Sequence, residues 1–295
     1  MLTQPIRYTF GGDEQLFAEI SESMSLAAFF KSLSMVKIIE AQALDGILDI
    51  CLANASFQIR FNPDIIHPDE LLAKVKSLES LTENQQLQSL ETRIVEIPVL
   101  YNDPWTHETL MRFRDRHQDP SATDLEYAAS INGLKSVDAF IEAHSCSPWF
   151  VSMVGFVSGL PFMFQMVDQD KQLEVPKYLS PRTDTPKQTL GYGGCFSCIY
   201  SVRGAGGYQM FGVTPTPIYD PQQSLPYFKD SMVFFRAGDI VQFKPVDRNE
   251  YDRILELVEA GSYAPKTHPF SFDFDSYQNN PEEYKKKMME VLYVD

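Results

Sequence analysis

The strongest constraint on the fold is a long series of short apolar segments, interrupted by glycine and proline, from Trp149 to about Val246. Short apolar runs between turn-forming residues are typical of β-strands joined by tight turns. The pattern therefore predicts an all-β barrel or sandwich in this part of the chain.

Residues 1–90 show a different pattern, in which strands and helices are mixed. The alternation and spacing of apolar residues predict a strand, a helix, a two-stranded hairpin and a second helix. These elements are predicted at residues 16–20, 25–37, 47–52, 56–61 and 67–78. Their order is typical of a ferredoxin-like α/β sandwich. A polar stretch at residues 82–86 predicts the end of this small domain.

The rest of the chain adds helices on both sides of the β-rich stretch. Further elements are predicted as a strand at 93–100, helices at 106–117, 123–131 and 136–144, a helix at 251–259, a short strand at 270–274 and a helix at 281–291. We therefore expect an α+β protein with a small α/β domain (1–90), a β-barrel domain (91–250) and a C-terminal helical extension that packs on the barrel (251–295).

The charge excludes several classes of protein. With 40 acidic and 25 basic side chains, the formal net charge is −15. Phosphate backbones and anionic lipids would be repelled, so we expect neither a nucleic-acid nor a membrane partner. The chain shows no apolar run long enough to cross a bilayer and no signal-peptide pattern at its start. Its four cysteines are too few for a disulfide framework, so we expect reduced thiols and a cytoplasmic location.

A metal site is the first chemical possibility, because Cys195 and Cys198 stand three residues apart and His144 and Cys146 precede them. The segment around the first pair has the composition of a strand, however. Residues three apart on a strand point to opposite faces, so both sulfurs would not reach one ion. We expect no metal.

Two glycine-dense stretches, residues 191–194 and 204–208, allow two interpretations. The glycines can serve tight turns and bulges of a barrel. Alternatively, they can expose backbone amides to an anionic or amide substrate. Neither stretch is a phosphate-binding loop, because the lysine and hydroxyl residue that complete such a loop are absent.

A loop stiffened by three prolines, residues 175–186, carries Lys177 and Arg182. Two cations on such a loop would suit a carboxylate, a carbamate or a polarised carbonyl. The alternative is that both pair with acidic side chains at the surface. His144 is the last residue of a predicted helix, where it can serve either as a partner of the helix dipole or as a base.

Three stretches give the sequence a family resemblance: residues 93–101, residues 181–215 with their Pro-Arg pair and Gly-Gly-Tyr-Gln motif, and residues 235–246. Together they resemble the carboxyltransferase C/D family. That family includes subunit 1 of allophanate-hydrolase-like proteins, the B-type subunit of bacterial 5-oxoprolinase, a sporulation-kinase inhibitor and one half of the urea carboxylase transferase domain. The resemblance spans about residues 10–290. The motifs around Lys177, Arg182 and Ile131 are most similar to the urea carboxylase type.

The resemblance implies a cyclophilin-like β-barrel behind the small domain and a second, A/B-type subunit as partner in a hetero-oligomer. It implies a carboxyltransferase or amide hydrolase that acts on a small urea-like or amide compound. The alternative is a non-catalytic regulatory protein of the kinase-inhibitor type. The sequence shows neither a biotin-attachment motif nor an ATP-grasp motif, so we expect any biotin or ATP on partner chains.

Carboxyl transfer from carboxybiotin to a urea-like nitrogen needs a dry pocket, a cation that polarises a carbonyl, and amide donors for the developing oxyanion. Within the resemblance, we assign Lys177, Arg182 and His144 as catalytic candidates. The substrate-binding candidates are Gly193, Gly194, Tyr208 and Gln209.

Overall fold

The structure, a computed structural model, describes residues 5–84 and 89–293. The polar stretch predicted as a domain end therefore lies partly outside the described residues, as does the start of the chain. The chain divides into two compact units, of which the first comprises the described residues up to 90 together with 273–275. The second comprises residues 91–272 and those from 276 on. The predicted α+β class is confirmed, since both helices and sheets are present.

The first unit is a four-stranded antiparallel sheet with two helices. Its elements are β1 (Arg7–Phe10), β2 (Gln15–Glu19), α1 (Leu26–Ala41), β3 (Ile47–Ala53), β4 (Ser56–Phe61) and α2 (Pro68–Asn84). The strand order is β1-β2-β4-β3, and α1 packs against α2, β3 and β4. Phe57, Ile59 and Met35 are fully buried in its core. β1 was not predicted, because this edge strand is largely exposed and lacks an apolar alternation.

From residue 89 onward, the described part of the chain forms ten strands and six α-helices. They are β5 (Ser89–Tyr101), α3 (Pro104–Arg112), α4 (Asp124–Ile131), α5 (Val137–Ser145), β6 (Trp149–Val154), β7 (Pro161–Gln165), β8 (Arg182–Thr185), β9 (Thr189–Gly193), β10 (Phe196–Ile199), β11 (Gly204–Gly206), β12 (Gln209–Val213), β13 (Ile240–Pro245), α6 (Arg248–Glu259), β14 (Thr267–Asp273), α7 (Phe274–Asn279) and α8 (Pro281–Tyr293).

Eight of these strands form one sheet in the order β12-β9-β10-β7-β6-β13-β5-β14. β12 also pairs with β5, so the sheet closes on itself. β13 runs parallel to β5, with Ile240 opposite Ile94. Strands β8 and β11 form a separate two-stranded ladder. Trp149, Phe211 and Phe243 are almost completely buried in the core of the closed sheet.

Two elements differ from their predicted form. The predicted helix at 106–117 begins earlier and ends at Arg112, where Phe113 leaves helical geometry before a short 3-10 turn. The short strand predicted at 270–274 is present as β14, but it begins earlier, at Thr267, and lies beside β5 at the end of the sheet. The alternating burial of β14 explains this position. Within the described ranges, no helix combines the length and apolar character that a membrane crossing would require.

Candidate functional site

A cavity of about 380 Å³ lies beside the β8–β11 ladder. One part of its wall is apolar and consists of Phe156, Leu160 and Phe162. The remaining lining residues have either a polar side chain or a small one, or are glycines: Lys177, Pro181, Cys198, Tyr200, Ala205, Gly206, Gly207 and Tyr208. A charged or polar group of a ligand would therefore meet few protein donors here.

Lys177 and Tyr208, both predicted site residues, lie together in this cavity. The Nζ atom of Lys177 is 5.2 Å from the centre of the Tyr208 ring. This distance suits a cation–π contact, which holds the ammonium group over the ring. Lys177 is exposed and Tyr208 half-buried. The structure thus places one accessible cation at an otherwise mostly apolar wall.

Arg182 is not displayed on the loop as the sequence led us to expect. Its side chain is fully buried, and Nε and Nη2 donate to Thr185 Oγ1 at 3.3 Å. The guanidinium carbon lies 4.4 Å from the centre of the Tyr178 ring. Arg182 is buried because β8 pairs with β11 on one side and Tyr178 covers the guanidinium on the other. It therefore lies behind the cavity wall rather than in it.

Asp124, at the start of α4, was not among the predicted site residues; it is buried, interacts electrostatically with Arg182, and has Oδ1 3.5 Å from His117 Nε2. Tyr178 donates from its hydroxyl to Oδ1 at 2.7 Å, and the Met210 backbone N–H donates to Oδ2 at 2.5 Å. Burial raises the pKa of Asp124, while Met210, Tyr178 and the charge of Arg182 lower it. Aspartates are common in the first turn of a helix, where they stabilise the helix by interacting with its dipole. The position of Asp124 in the sequence therefore did not indicate a role in the site.

Gly193 and Gly194 serve the packing of the sheet. A Cβ atom at Gly193 would lie 2.5 Å from the Tyr208 ring, so the absence of a side chain makes room for that ring. Gly194 has a φ of +65°, and its N–H donates to the Val175 carbonyl at 2.8 Å. The Gly194 amide is thus engaged by the protein and is not a free donor for a substrate. Instead, Gly206 and Gly207 of the second glycine-dense stretch line the cavity.

Gln209, the last predicted binding residue, is fully buried and does not line the cavity. Its Nε2 atom donates to Gln118 Oε1 and to the Pro176 carbonyl, both at 3.0 Å. The second bond fixes the residue that precedes Lys177. Gln209 therefore holds the proline-stiffened loop in place.

His144 lies in the core of the closed sheet and is not part of the cavity. Its side chain is fully buried, and its ring centre is 4.7 Å from that of Trp149 and 5.1 Å from that of Phe243. Burial lowers the pKa of His144 to about 3, so the imidazole is neutral at physiological pH. With no exposed surface, it cannot exchange a proton with a ligand in the cavity. The expected role in proton transfer is therefore not supported by its position.

The cysteines do not form a metal centre. Cys198 is buried beside the cavity and Cys195 is half-buried. Burial raises the pKa of the Cys198 thiol, so it remains protonated and a poor nucleophile. Over residues 5–84 and 89–293, no group of three or more His, Cys, Asp and Glu side chains is placed to hold a metal ion.

Two curated relatives match different lengths of this chain. The B-type subunit of 5-oxoprolinase from Bacillus subtilis is 32% identical over 178 residues, which cover 60% of this chain and 63% of the relative. The urea amidolyase of Lachancea kluyveri is 23% identical over 280 residues, which cover 94% of this chain but 15% of the relative. The chain thus spans less than two thirds of the length of either protein.

The fold also matches solved structures. The urea amidolyase of K. lactis superimposes with a TM-score of 0.84 at 22% identity, over 98% of this chain and 18% of the amidolyase. The urea carboxylase of Kluyveromyces lactis gives a TM-score of 0.83 over 98% of this chain and 26% of the carboxylase. These matches show a shared fold over nearly the whole chain. The family model of the carboxyltransferase domain, subdomain C and D, matches residues 6–228, and the chain belongs to this family.

Proposed function

We propose that this chain is the C/D-type part of a two-part enzyme that acts on a small urea-like or amide compound. The reaction is carboxyl transfer or amide hydrolysis. Family membership supports this proposal, as do the relatives, a urea amidolyase and a 5-oxoprolinase subunit. The 5-oxoprolinase relative is named as a subunit, which supports a partner for this chain as well. We propose that this partner is an A/B-type subunit.

The observation that carries the proposal is the accessible ammonium of Lys177 over Tyr208 in a mostly apolar cavity. In such surroundings a cation stabilises developing negative charge more strongly than it would in water. Lys177 would polarise the carbonyl group of the substrate or hold its carboxylate. Arg182 would add positive charge from behind the wall, while Tyr208 would position the substrate.

The chain's own residues would thus bind and orient the substrate and exclude water. We propose that biotin or ATP, where the reaction uses them, is bound by partner chains. The motifs that would attach biotin or form an ATP-grasp site do not occur in this amino-acid sequence. Biotin would supply an activated carboxyl group, and ATP would supply an activated phosphoryl group.

The test is co-purification of the chain with the A/B-type protein encoded beside it, followed by turnover assays with urea and with 5-oxoproline. We expect Lys177→Ala to lower kcat/KM by roughly 10²–10³-fold, the usual effect of removing one charge-stabilising group. Lys187→Ala is the matched control, because Lys187 is exposed nearby but does not line the cavity. Equal activity of the Lys177→Ala pair and the wild-type pair would contradict the assignment.

Avidin separates the two reaction types. Inhibition of the wild-type pair by avidin supports biotin-dependent carboxyl transfer, because avidin sequesters the biotin that carries the carboxyl group. Activity that needs ATP but resists avidin supports hydrolysis.

One observation favours a second candidate, a non-catalytic regulatory protein. The side chains of Phe156, in the cavity wall, and Leu179, on the proline-stiffened loop, are 72% and 74% exposed. Large apolar side chains at such exposure often mark a protein-binding surface. Turnover by the reconstituted pair that depends on Lys177 would exclude this candidate.

A further inference from the structure

Tyr200, which was not among the predicted site residues, lies in the wall of the cavity. Its backbone N–H donates to the Thr189 carbonyl at 2.9 Å. A Cβ atom at Gly191 would lie 2.8 Å from Cε2 of Tyr200, and one at Gly206 would overlap its phenol end. The two glycines therefore leave a slot that the ring fills. Only 3% of Tyr200 is exposed, so the ring is enclosed by the protein on nearly all sides.

The phenol oxygen of Tyr200 lies close to a buried cation. Gly206, whose missing side chain makes room for the phenol end, is directly opposite Arg182 in the β8–β11 ladder. Side chains of directly opposed residues start about 5 Å apart on the same face. The phenol oxygen and the Arg182 side chain therefore share one face of this ladder.

Two hydrogen-bond donors, the Arg182 side chain and the Tyr208 backbone N–H, lie near this oxygen, and so does the Cys198 thiol. Burial and Cys198 raise the pKa of the Tyr200 hydroxyl, whereas Arg182 and the Tyr208 N–H lower it. The phenol is therefore protonated at neutral pH. Because Tyr200 lines the cavity, its hydroxyl hydrogen is available to an acceptor of a bound ligand.

Tyr178 shows the contrast. Its hydroxyl hydrogen is already donated to Asp124, at 2.7 Å. That bond also keeps the Asp124 carboxylate beside the Tyr178 ring, which the Arg182 guanidinium covers at 4.4 Å. The Arg182 side chain is thus held by Thr185 and interacts electrostatically with Asp124. A fixed Arg182 keeps its positive charge near the Tyr200 oxygen.

We propose that Tyr200 donates its hydroxyl hydrogen to a carbonyl oxygen of the compound bound in the cavity, and that Arg182 is a positioning residue that orients this donor. The substrate class is a planar amide, lactam or urea whose carbonyl oxygen lies between Tyr200 and Lys177. This inference rests on the proposed function for the identity of the ligand. Binding of such a compound can be tested on the purified chain, independently of catalysis.

The first experiment uses the purified chain with ¹³Cζ-labelled tyrosine and titrates it with urea and with 2-pyrrolidone, observed by NMR. The Tyr200 resonance is assigned with Tyr200→Phe. We expect it to shift saturably with at least one probe, and we expect Tyr200→Phe to weaken the binding of that probe by about 5–10-fold, the effect of one hydrogen bond. Tyr251→Phe is the control, because Tyr251 lies on α6 and does not line the cavity.

Two results of this titration would overturn the inference. One is binding of a probe with unchanged affinity in Tyr200→Phe. The other is the absence of any shift of the Tyr200 resonance with both probes.

The second experiment measures turnover by the pair formed with the A/B-type protein. We expect Tyr200→Phe to lower kcat about 10²-fold with KM within about 3-fold of the wild-type value, as for loss of one oxyanion donor. We expect Arg182→Lys to keep more of kcat than Arg182→Met, because the lysine still supplies a cationic donor.

The outcomes separate the inference from the proposed function. If the wild-type pair is active and its Tyr200→Phe variant keeps full kcat, the inference is overturned and the proposed function stands. An inactive wild-type pair counts against the proposed function, and the NMR titration then decides the inference alone.

Discussion

The hydroxyl of Tyr101 lies 2.9 Å from Nδ1 of His144, and both side chains are buried in the core of the closed sheet. The carbonyl of His144 accepts a hydrogen bond from Trp149 Nε1 at 2.9 Å. The other ring nitrogen, Nε2, has no partner among the described residues. A charged imidazole here would lack both solvent and a counter-ion, which is why burial lowers its pKa to about 3.

The first prediction concerns the dependence of stability on pH. The pKa of His144 falls from its ordinary value of 6.5 to about 3 on folding. Below pH 6.5 the unfolded chain therefore binds a proton that the folded chain does not, so stability is lost as the pH falls. One such group contributes a slope of up to about 1.4 kcal/mol per pH unit in this window. Urea unfolding of His144→Asn between pH 7 and pH 5 should show a shallower slope than the wild type.

The comparison with wild type removes the contribution of the carboxylates, which titrate in both proteins. His67→Asn is the control, because the His67 side chain is 70% exposed. The His67 variant should keep the slope of the wild type. Parallel curves for wild type and His144→Asn would show that burial does not suppress the charge of His144.

The second prediction compares two glycines of β11. A Cβ atom at Gly206 would collide with the Tyr200 ring, whereas nothing lies within 4 Å of one at Gly204. Gly206→Ala should lower the free energy of unfolding by about 1–3 kcal/mol, the usual cost of overpacking a buried site. Gly204→Ala should change it by less than about 0.5 kcal/mol. Denaturant midpoints measure both, and equal midpoints would contradict the packing of Tyr200.

The sequence predicted features that depend on local pattern. Glycine and proline between short apolar runs predicted the strands that follow Trp149, because tight turns need these residues. Lys177 and Tyr208 were also identified as candidates, and the structure places both at one cavity. These residues stand in or beside segments whose composition is unusual for the chain.

Features that depend on distant pairing were not predicted. Arg182 appeared as a surface cation because nothing near it in the sequence shows that Tyr178 and the β8–β11 ladder bury it. Asp124 is 54 residues from Tyr178, and only the folded chain brings the two together. His144 was interpreted from its helix, although its burial follows from packing against Trp149 and Phe243.

The third prediction tests the coupling between Asp124 and Arg182. Asp124 accepts hydrogen bonds from Tyr178 and from the Met210 backbone and interacts electrostatically with the buried Arg182. Loss of hydrogen bonds to a buried group costs about 1–3 kcal/mol, so Asp124→Asn should destabilise the protein by about that amount. The double variant Asp124→Asn with Arg182→Met should be less destabilised than the sum of the two single variants, because no buried charge remains unpaired.

A double-mutant cycle from urea unfolding at pH 7 measures this coupling energy. The pair Asp252 and Arg248 on α6 is the control, since both side chains are about half exposed. Its coupling should be about 0.5 kcal/mol or less. Strict additivity for Asp124 and Arg182 would show that the two charges do not interact.

The last prediction concerns the thiols. Cys51 and Cys146 are exposed, Cys195 is intermediate and Cys198 is buried. Reaction with a disulfide reagent requires both access and the thiolate form, and burial raises the pKa of Cys198. Ellman's reagent should therefore react readily with Cys51 and more slowly with Cys146, whose pKa burial also raises. Cys198 should react only after unfolding in urea.

Two serine variants assign the phases of this reaction. Cys51→Ser should remove the fastest phase. Cys198→Ser should leave the native time course unchanged but remove one thiol from the total in urea. Loss of a native phase in Cys198→Ser would show that the cavity opens to the reagent.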